Sequence, residues 1–403
     1  MIDDLLNELE RESSKCISCG FCDSVCPTYK TSGYDMTKTS RGRAQIGYSL
    51  FKELKSGNIG INVSDTFYSC LECHVCLQVC PTGVDSGRIS DLSKTIISSV
   101  KKYEKPEAKA IVRNIMKYSK PLIFRDESYS WYDNVKAEKC DTLLYTGLMY
   151  QLMPYTENLE RLRKKMGKRL FYAIISLAEA MPGITKLLKP DPSGVKRANK
   201  TLKNIVYALK SSDVSFDLLE EEEPYPGSLL YEYGYIVEFR EYIKRIYKIL
   251  GKYQNIITID PHTYNLLKYE YPKYIPDFNL NVIYYLDMVD KNMLYKSNEY
   301  FAFHDPCHFQ GEHLYNNARE IIENMGNVSY PERNGSRTYC CGGPDELLFP
   351  DISKNISAER YNQLKNISGN IVTSCPICLY SLSRNGNIKD IADVIQMHLK
   401  NRK

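Results

Sequence analysis

Residues 16–27 read CISCGFCDSVCP and residues 70–81 read CLECHVCLQVCP, and these two runs decide what the chain is built to hold. Each follows C-x2-C-x2-C-x3-C-P. Three thiolates this close together can hold three irons of a [4Fe–4S] cube. In chains with two such runs, the fourth iron takes the last cysteine of the other run. The expected ligand sets are therefore Cys16, Cys19, Cys22 and Cys80 for one cube, and Cys70, Cys73, Cys76 and Cys26 for the other. The competing reading is a pair of structural zinc sites or a disulfide framework. Zinc usually takes two separated C-x2-C pairs rather than three cysteines in a run.

Working outward, the chain has 403 residues, enough for two or three domains with real cores. Its composition, 25% charged and 43% hydrophobic, is that of an ordinary globular protein. A net charge of +4 is too mild to argue for nucleic acid. The 14 cysteines in so long a chain do not describe a secreted disulfide scaffold and fit a reducing compartment. Residues 1–15 are acidic and amphipathic, with Ile2, Leu5, Leu6 and Leu9 on one helical face. No basic n-region precedes an apolar core, so no signal peptide is expected. No long uncharged apolar stretch suggests a membrane span. The expected location is the cytoplasm, with peripheral attachment to the inner face of the cell membrane as a variant.

Residues 1–105 are expected to form the cube-binding domain. Between the two runs lies RGRAQIGYSLFKELKSG (41–57), which reads as a helix ended by Gly57, so this domain is expected to be helical rather than β-rich. Residues 106–139 read as a connector. Beyond it, NIITIDPHTYNLL (255–267) aligns without gaps on NIVTSCPICLYSL (370–382). Both read as a strand, a proline turn and a helix start. DTLLYTGLMY (141–150) and FAFHDPCH (301–308) stand upstream of the two copies. Two similar α/β domains follow, 140–295 and 296–403. The whole is an α+β multidomain chain.

The second copy carries cysteines on three loops: Cys307, then Cys340 and Cys341 before Gly342 and Gly343, then Cys375 and Cys378. Loops at strand ends converge at one edge of an open α/β sheet. Adjacent Cys340 and Cys341 suit a multi-iron cluster better than a small tetrahedral ion, and the glycines permit φ > 0. A four-ligand structural zinc remains the alternative. In the first copy the matching loops hold Gly147 or Leu148, Pro224 and Tyr225, Asp260 and Thr263, which offer no thiolate.

The string HDPCH … CCGG … CPxC resembles the cysteine-rich CCG domain. That domain occurs in the B and D subunits of heterodisulfide reductases, in an iron–sulfur subunit of anaerobic glycerol-3-phosphate dehydrogenase, and in related lactate- and glycolate-oxidation proteins. The order CISCGFCDSVCPTY, TSRGRAQIG, CLECHVCLQVCPTGV is similar to theirs. The resemblance implies an N-terminal α-helical two-cluster ferredoxin module followed by two CCG domains, the first lacking its cysteines. It implies an iron–sulfur subunit that moves electrons between a flavin-containing dehydrogenase, or a disulfide substrate, and a membrane quinone or cytochrome subunit. It also implies a noncubane [4Fe–4S] cluster held by Cys307, Cys340, Cys341, Cys375 and Cys378. The loss of cysteines from the first copy puts in doubt any mechanism that needs two such clusters.

Three expectations about function result. The first is an electron-transfer subunit with two cubes and a C-terminal cluster. The second is a catalytic thiol–disulfide reductase acting at that cluster, with Cys340, Cys341, His304 and His308 as catalytic candidates, because His titrates near neutrality. The third is a scaffold with structural zinc. His74 is expected to hydrogen-bond rather than ligate, His262 to be structural, and Cys140 to be a buried small hydrophobe. The acidic run Glu220–Glu223 reads as a solvated loop. RLRKKMGKR (161–169), followed by LFYAIISLAEAM, reads as the start of a core helix, with docking to an anionic membrane as the alternative.

Overall fold

A computed structural model describes residues 2–57, 62–101, 103–133, 135–167, 170–171, 173–175, 177, 186, 188–309 and 312–400. The N-terminal region is helical. Helices Ile2–Ser13, Ser40–Lys55 and Ser86–Ser99 pack on one another. Leu6 and Leu9 of the first meet Ala44 and Leu50 of the second and Ile89 and Leu92 of the third, all buried. Each such aliphatic side chain contributes about 1.5–3 kcal/mol. Ile2 is 40% exposed, so the buried face begins at half-buried Leu5. Thr39 caps the second helix by accepting from the Gly42 N–H at 2.8 Å. Asp85 caps the third by accepting from the Gly87 N–H at 2.9 Å.

Residues 106–139 hold the helix Pro106–Tyr118, whose Ala108, Val112 and Ile115 are buried together with Phe124 and Trp131. Strands β1 (Thr142–Tyr145), β2 (Asn255–Thr258) and β3 (Asn281–Tyr284) form one parallel sheet in that order. Strands β4 (Tyr300–His304), β5 (Asn327–Ser329), β6 (Asn370–Thr373) and β7 (Lys389–Asp390) form a second parallel sheet, ordered β5-β4-β6-β7. Parallel strands return through crossover helices that cover both faces, so their residues are apolar without alternation. Leu143, Leu144, Ile256, Ile257, Phe301, Phe303, Ile371 and Val372 are all buried. β2 runs into a helix at Pro261, and β6 into a helix at Pro376.

The two sheet units share packing. Helices Met149–Met166 and Pro192–Ser211 lie against Pro376–Ser383 and Ile391–His398. Tyr380 Oη donates to the Gly194 carbonyl at 2.8 Å, and Tyr150 Oη to Asp390 at 2.7 Å. The N-terminal domain docks on both units. Tyr68 Oη donates to the Tyr233 carbonyl at 3.2 Å, Ser98 Oγ to the Gly234 carbonyl at 2.6 Å, and Arg333 to the Val25 carbonyl at 2.9 Å.

Among the described residues no helix is long and apolar enough to cross a membrane. Residues 161–166 end the helix Met149–Met166 rather than start a core helix, and beyond Gly167 Leu170, Ile174 and Leu177 are exposed while Phe171 is buried; 168, 169, 172, 176 and 178–181 lie outside the described residues. The acidic run is split: Glu220, Glu221 and Glu222 are exposed as expected, but Glu223 is buried and bonded to Thr146. Cys140 is half-buried, not buried.

Candidate metal centres

Cys16, Cys19, Cys22 and Cys80 line one pocket, with Cys76 and Arg41 at its wall. Cys19 is exposed and the other three are half-buried. The two cysteine runs share a backbone pattern. Ser18 and Gly20 have φ of +60° and +83°, and their counterparts Glu72 and His74 have +49° and +51°. Left-handed turns between successive cysteines let both loops curl. His74 holds that conformation without being glycine, tied by Nδ1 to Asp85 at 2.9 Å. Burial opposes its charge, but Asp85 raises its pKa above the ordinary value. As expected for a residue that hydrogen-bonds rather than ligates, its ring is committed to that carboxylate. The Val84 N–H donates to Cys80 Sγ at 3.2 Å.

Cys26 lies away from this pocket, buried, with Cys70 and Cys76 as electrostatic neighbours. Arg43 Nη1 points at Cys26 Sγ from 3.7 Å. Burial alone would raise the Cys26 thiol, but Arg43 and the Thr28 hydroxyl outweigh it and hold the thiol below its ordinary range. Burial raises Cys70, and burial with Cys307 nearby raises Cys73 well above the usual thiol value. Lys94 is buried beside Cys70. It pairs with Glu72 and donates to the Glu232 backbone carbonyl.

The structure thus brings Cys80 to the first run's cysteines and Cys26 to the second's. Cys76 borders the first group through Cys22, and Cys73 borders Cys307. Eight sulfurs in two groups of four, with a backbone N–H and a buried guanidinium aimed at ligand sulfur, suit two [4Fe–4S] cubes.

The third group sits at the β4 and β6 ends. Cys340, Cys341, Cys375 and Cys378 are buried, and Cys307 is half-buried. Cys307 Sγ and Cys340 Sγ are 3.8 Å apart. The ligand atoms of His304, Cys341 and Cys378 all lie within 4.8 Å of one another. The Gly342 and Gly343 N–H groups donate to the Cys340 and Cys341 sulfurs, each at 3.4 Å. Gly342 has φ of +82°, and a Cβ there would meet the Ser353 carbonyl at 2.6 Å. Five sulfurs in one buried pocket exceed what tetrahedral zinc requires.

Three histidines surround this group, in different states. Arg360 Nε donates to His304 Nδ1 at 3.0 Å, so the His304 proton must sit on Nε2. That atom is buried, has no nitrogen or oxygen partner, and is left to the sulfurs of Cys341 and Cys378. An orphaned donor aimed among sulfurs fits a cluster that accepts from it. Burial and Arg360 keep this imidazole neutral, with its pKa lowered. His304 is therefore arranged as a fixed donor rather than a proton shuttle. His308 Nδ1 lies 3.4 Å from Cys307 Sγ, and burial with His262 and His74 nearby lowers its pKa far below the ordinary value.

His262 is the residue that sequence reasoning missed. It reaches the cysteine pocket from the cysteine-free unit, stacked on His308 at 3.8 Å between ring centroids. Its Nδ1 meets Glu232 at 3.0 Å. Burial opposes its charge, but Cys375 and Glu232 hold it protonated well above the ordinary range. Burial likewise pushes Cys375 up, yet hydrogen bonds from Cys378 and His262 bring it to about 7. Hydrogen bonds from Cys340 and Cys378, with His304 beside it, hold Cys341 far below the usual thiol value. Cys341, beside His304, and Cys375, beside His262, are thus both held below the usual thiol value. The aligned turns of residues 255–267 and 370–382 carried the one available signal, since they put His262 on a loop matching the Cys375 loop.

Two family models cover these cysteines. Residues 12–84 match the 4Fe-4S dicluster domain, and residues 301–383 match the cysteine-rich domain named CCG. The chain is 22% identical, over 91% of its length and 50% of the relative's, to the probable iron-sulfur-binding oxidoreductase FadF of Bacillus subtilis (strain 168). It is 38% identical, over 23% of its length and 21% of the relative's, to the probable glycolate oxidase iron-sulfur subunit of the same organism. It is 23% identical, over 92% of its length and 88% of the relative's, to the D subunit of the dihydromethanophenazine:CoB--CoM heterodisulfide reductase of Methanosarcina barkeri (strain Fusaro / DSM 804). The chain spans half or less of the first two of these relatives. The chain thus carries a 4Fe-4S dicluster domain followed by a cysteine-rich CCG domain, and over nearly its whole length it is similar to iron–sulfur oxidoreductase subunits.

Proposed function

We propose that the chain is the electron-relay subunit of a heterodisulfide-reductase-like or flavin-dehydrogenase complex. Cys16, Cys19, Cys22 and Cys80 hold one cube, and Cys70, Cys73, Cys76 and Cys26 the other. Cys307, Cys340, Cys341, Cys375 and Cys378 hold a third, noncubane cluster. The observation that supports this reading is that the three sulfur groups adjoin in series: Cys22 and Cys76 line one pocket, and Cys307 acts electrostatically on Cys73. Iron–sulfur clusters are one-electron carriers, so such a line passes electrons singly. The chain's own residues provide the rest: Arg43 holds positive charge at Cys26, the Gly342 and Gly343 N–H groups donate to sulfur, and His304 and His262 face Cys341 and Cys375. On this reading the partners are a flavin-containing dehydrogenase and a membrane quinone or cytochrome subunit, and the protein works in the cytoplasm. The unit of residues 140–295 is then a CCG-like repeat that has lost its cysteines, joined through 106–139 to the domain of 1–105. Residues 296–403 form the complete copy.

Metal analysis with EPR on anaerobically purified protein tests this. About twelve irons, with a signal distinct from the cubes, is the expected result. About eight irons and one zinc would reduce the third site to a structural one.

One observation favours a second reading, a thiol–disulfide reductase. Cys307 and His308 are half-buried while the other four cysteines of the third group are buried, so a disulfide substrate has one side to approach from. Oxidation of the reduced protein by a disulfide, lost on Cys341→Ser with the cubes intact, is the outcome this reading requires.

A further inference from the structure

Arg43 is 2% exposed, and among the described residues no carboxylate forms an ion pair with it. Its Nε donates to the Thr66 carbonyl at 2.9 Å. Its Nη2 donates to the Ser69 carbonyl at 2.9 Å and to the hydroxyls of Ser69 and Thr28, each at 3.1 Å. These partners are neutral. Nη1 is left pointing at Cys26 Sγ from 3.7 Å. A buried cation needs an anion to stay charged. The negative groups that act on Arg43 are Cys70 and Cys26, followed by Asp345. Burial lifts Asp345 to about 7, so it is an incomplete counter-charge at neutral pH.

The first sulfur group is built differently. Arg41 there is paired with Asp23 at 2.8 Å, and Asp23 lies beside Cys22 with its Oδ1 3.9 Å from the sulfur. Charge near the first group is cancelled locally, whereas charge near the second is not. Lys94, the other buried cation beside Cys70, is matched by Glu72.

We propose that Arg43 is the counter-cation of the cube held by Cys70, Cys73, Cys76 and Cys26, and that it raises the reduction potential of that cube alone. The inference rests on the two-cube reading given above. Reduction adds one negative charge to a cluster. Burial disfavours that charge, and a fixed cation against two of the ligand sulfurs favours it. Arg43 thus offsets the burial that would otherwise depress the cube bordering Cys307. A residue that merely tied Thr66 and Ser69 to Cys26 would leave the potential unmoved.

The test is an EPR-monitored redox titration of the full chain after anaerobic reconstitution, with iron and sulfide counted first. In Arg43→Gln one cube's midpoint falls and the other stays. Asp345→Asn, titrated at pH 8, raises the same midpoint by removing the competing anion. Asp23→Asn raises the other cube's midpoint instead. A full iron count in Arg43→Gln with both midpoints unmoved, or moved together, overturns the proposal. If Arg43→Gln holds too little iron to titrate, Asp345→Asn decides, and unmoved midpoints there overturn it. Iron missing from the unchanged protein would instead overturn the two-cube reading itself.

Discussion

β2 and β6 end in matching proline turns, and each turn places a different residue at the cap of the helix that follows. After β2 the cap is Asp260, whose Oδ1 accepts from the Thr263 N–H at 2.9 Å. After β6 it is Cys375, which makes no side-chain cap bond. Its sulfur meets Cys378 and His262 instead. The same contrast holds on the neighbouring loops. Where one unit has Cys307, the strand register puts buried Leu148 in the other, after Gly147, where a Cβ would collide with the Thr263 hydroxyl. Where one has Cys340 and Cys341, the other has Pro224 and Tyr225, preceded by buried Glu223, whose Oε1 accepts from Thr146 Oγ1 at 2.7 Å. The cysteine-free unit makes its cap and bonds Glu223 to Thr146, though Asp260 Oδ2 and the Thr263 hydroxyl are buried without a partner. The cysteine-bearing unit leaves its cap unmade, and its sulfurs remain available.

Substitutions can break this comparison. The largest expected effect is in the cysteine-bearing unit: Cys375→Ala removes a ligand and with it the iron of the third site, read by metal analysis, while the cubes' EPR signals persist. Next is a pH effect from the cysteine-free unit. Burial raises Glu223 to about 7 from an ordinary 4.5. Below pH 4.5 the carboxyl is protonated in folded and unfolded chains alike and costs nothing. Between pH 4.5 and 7 the unfolded chain ionises first, so the folded state loses stability, by about 3 kcal/mol in all. Denaturant unfolding across that window should show the slope, and Glu223→Gln should make it shallower, with Asp345 and Asp91, also raised to about 7, supplying the rest. Gly147→Ala comes third. Its φ of +65° and the crowding by Thr263 should cost about 2 kcal/mol in the same assay. The smallest effect is at the cap: Asp260→Ala should cost about 1 kcal/mol. In metal-free protein Cys375→Ala should show no matching loss of a cap, and an equal loss would erase the distinction between the two turns.

Much of this was legible in the sequence because metal spacing is local. Cys16 to Cys26 and Cys70 to Cys80 announce their chemistry within eleven residues each, and the proline turns at 261 and 376 marked the strand ends. What escaped depends on residues far apart in the chain. Nothing beside Arg43 indicates that Cys26 and Cys70 will fold around it. His262 stands among ordinary residues, and its partners Glu232, His308 and Cys375 come from three other segments. Glu223 looked like the end of a solvated acidic run, yet it turns inward to Thr146.

Glu232 has one more consequence. Its carboxylate steadies His262 at the third group, while its backbone carbonyl accepts from Lys94 beside Cys70. A single residue thus ties the wall of one metal pocket to the wall of another. The seated N-terminal domain therefore braces, through Lys94 and Glu232, the histidine that stands against the five-cysteine group.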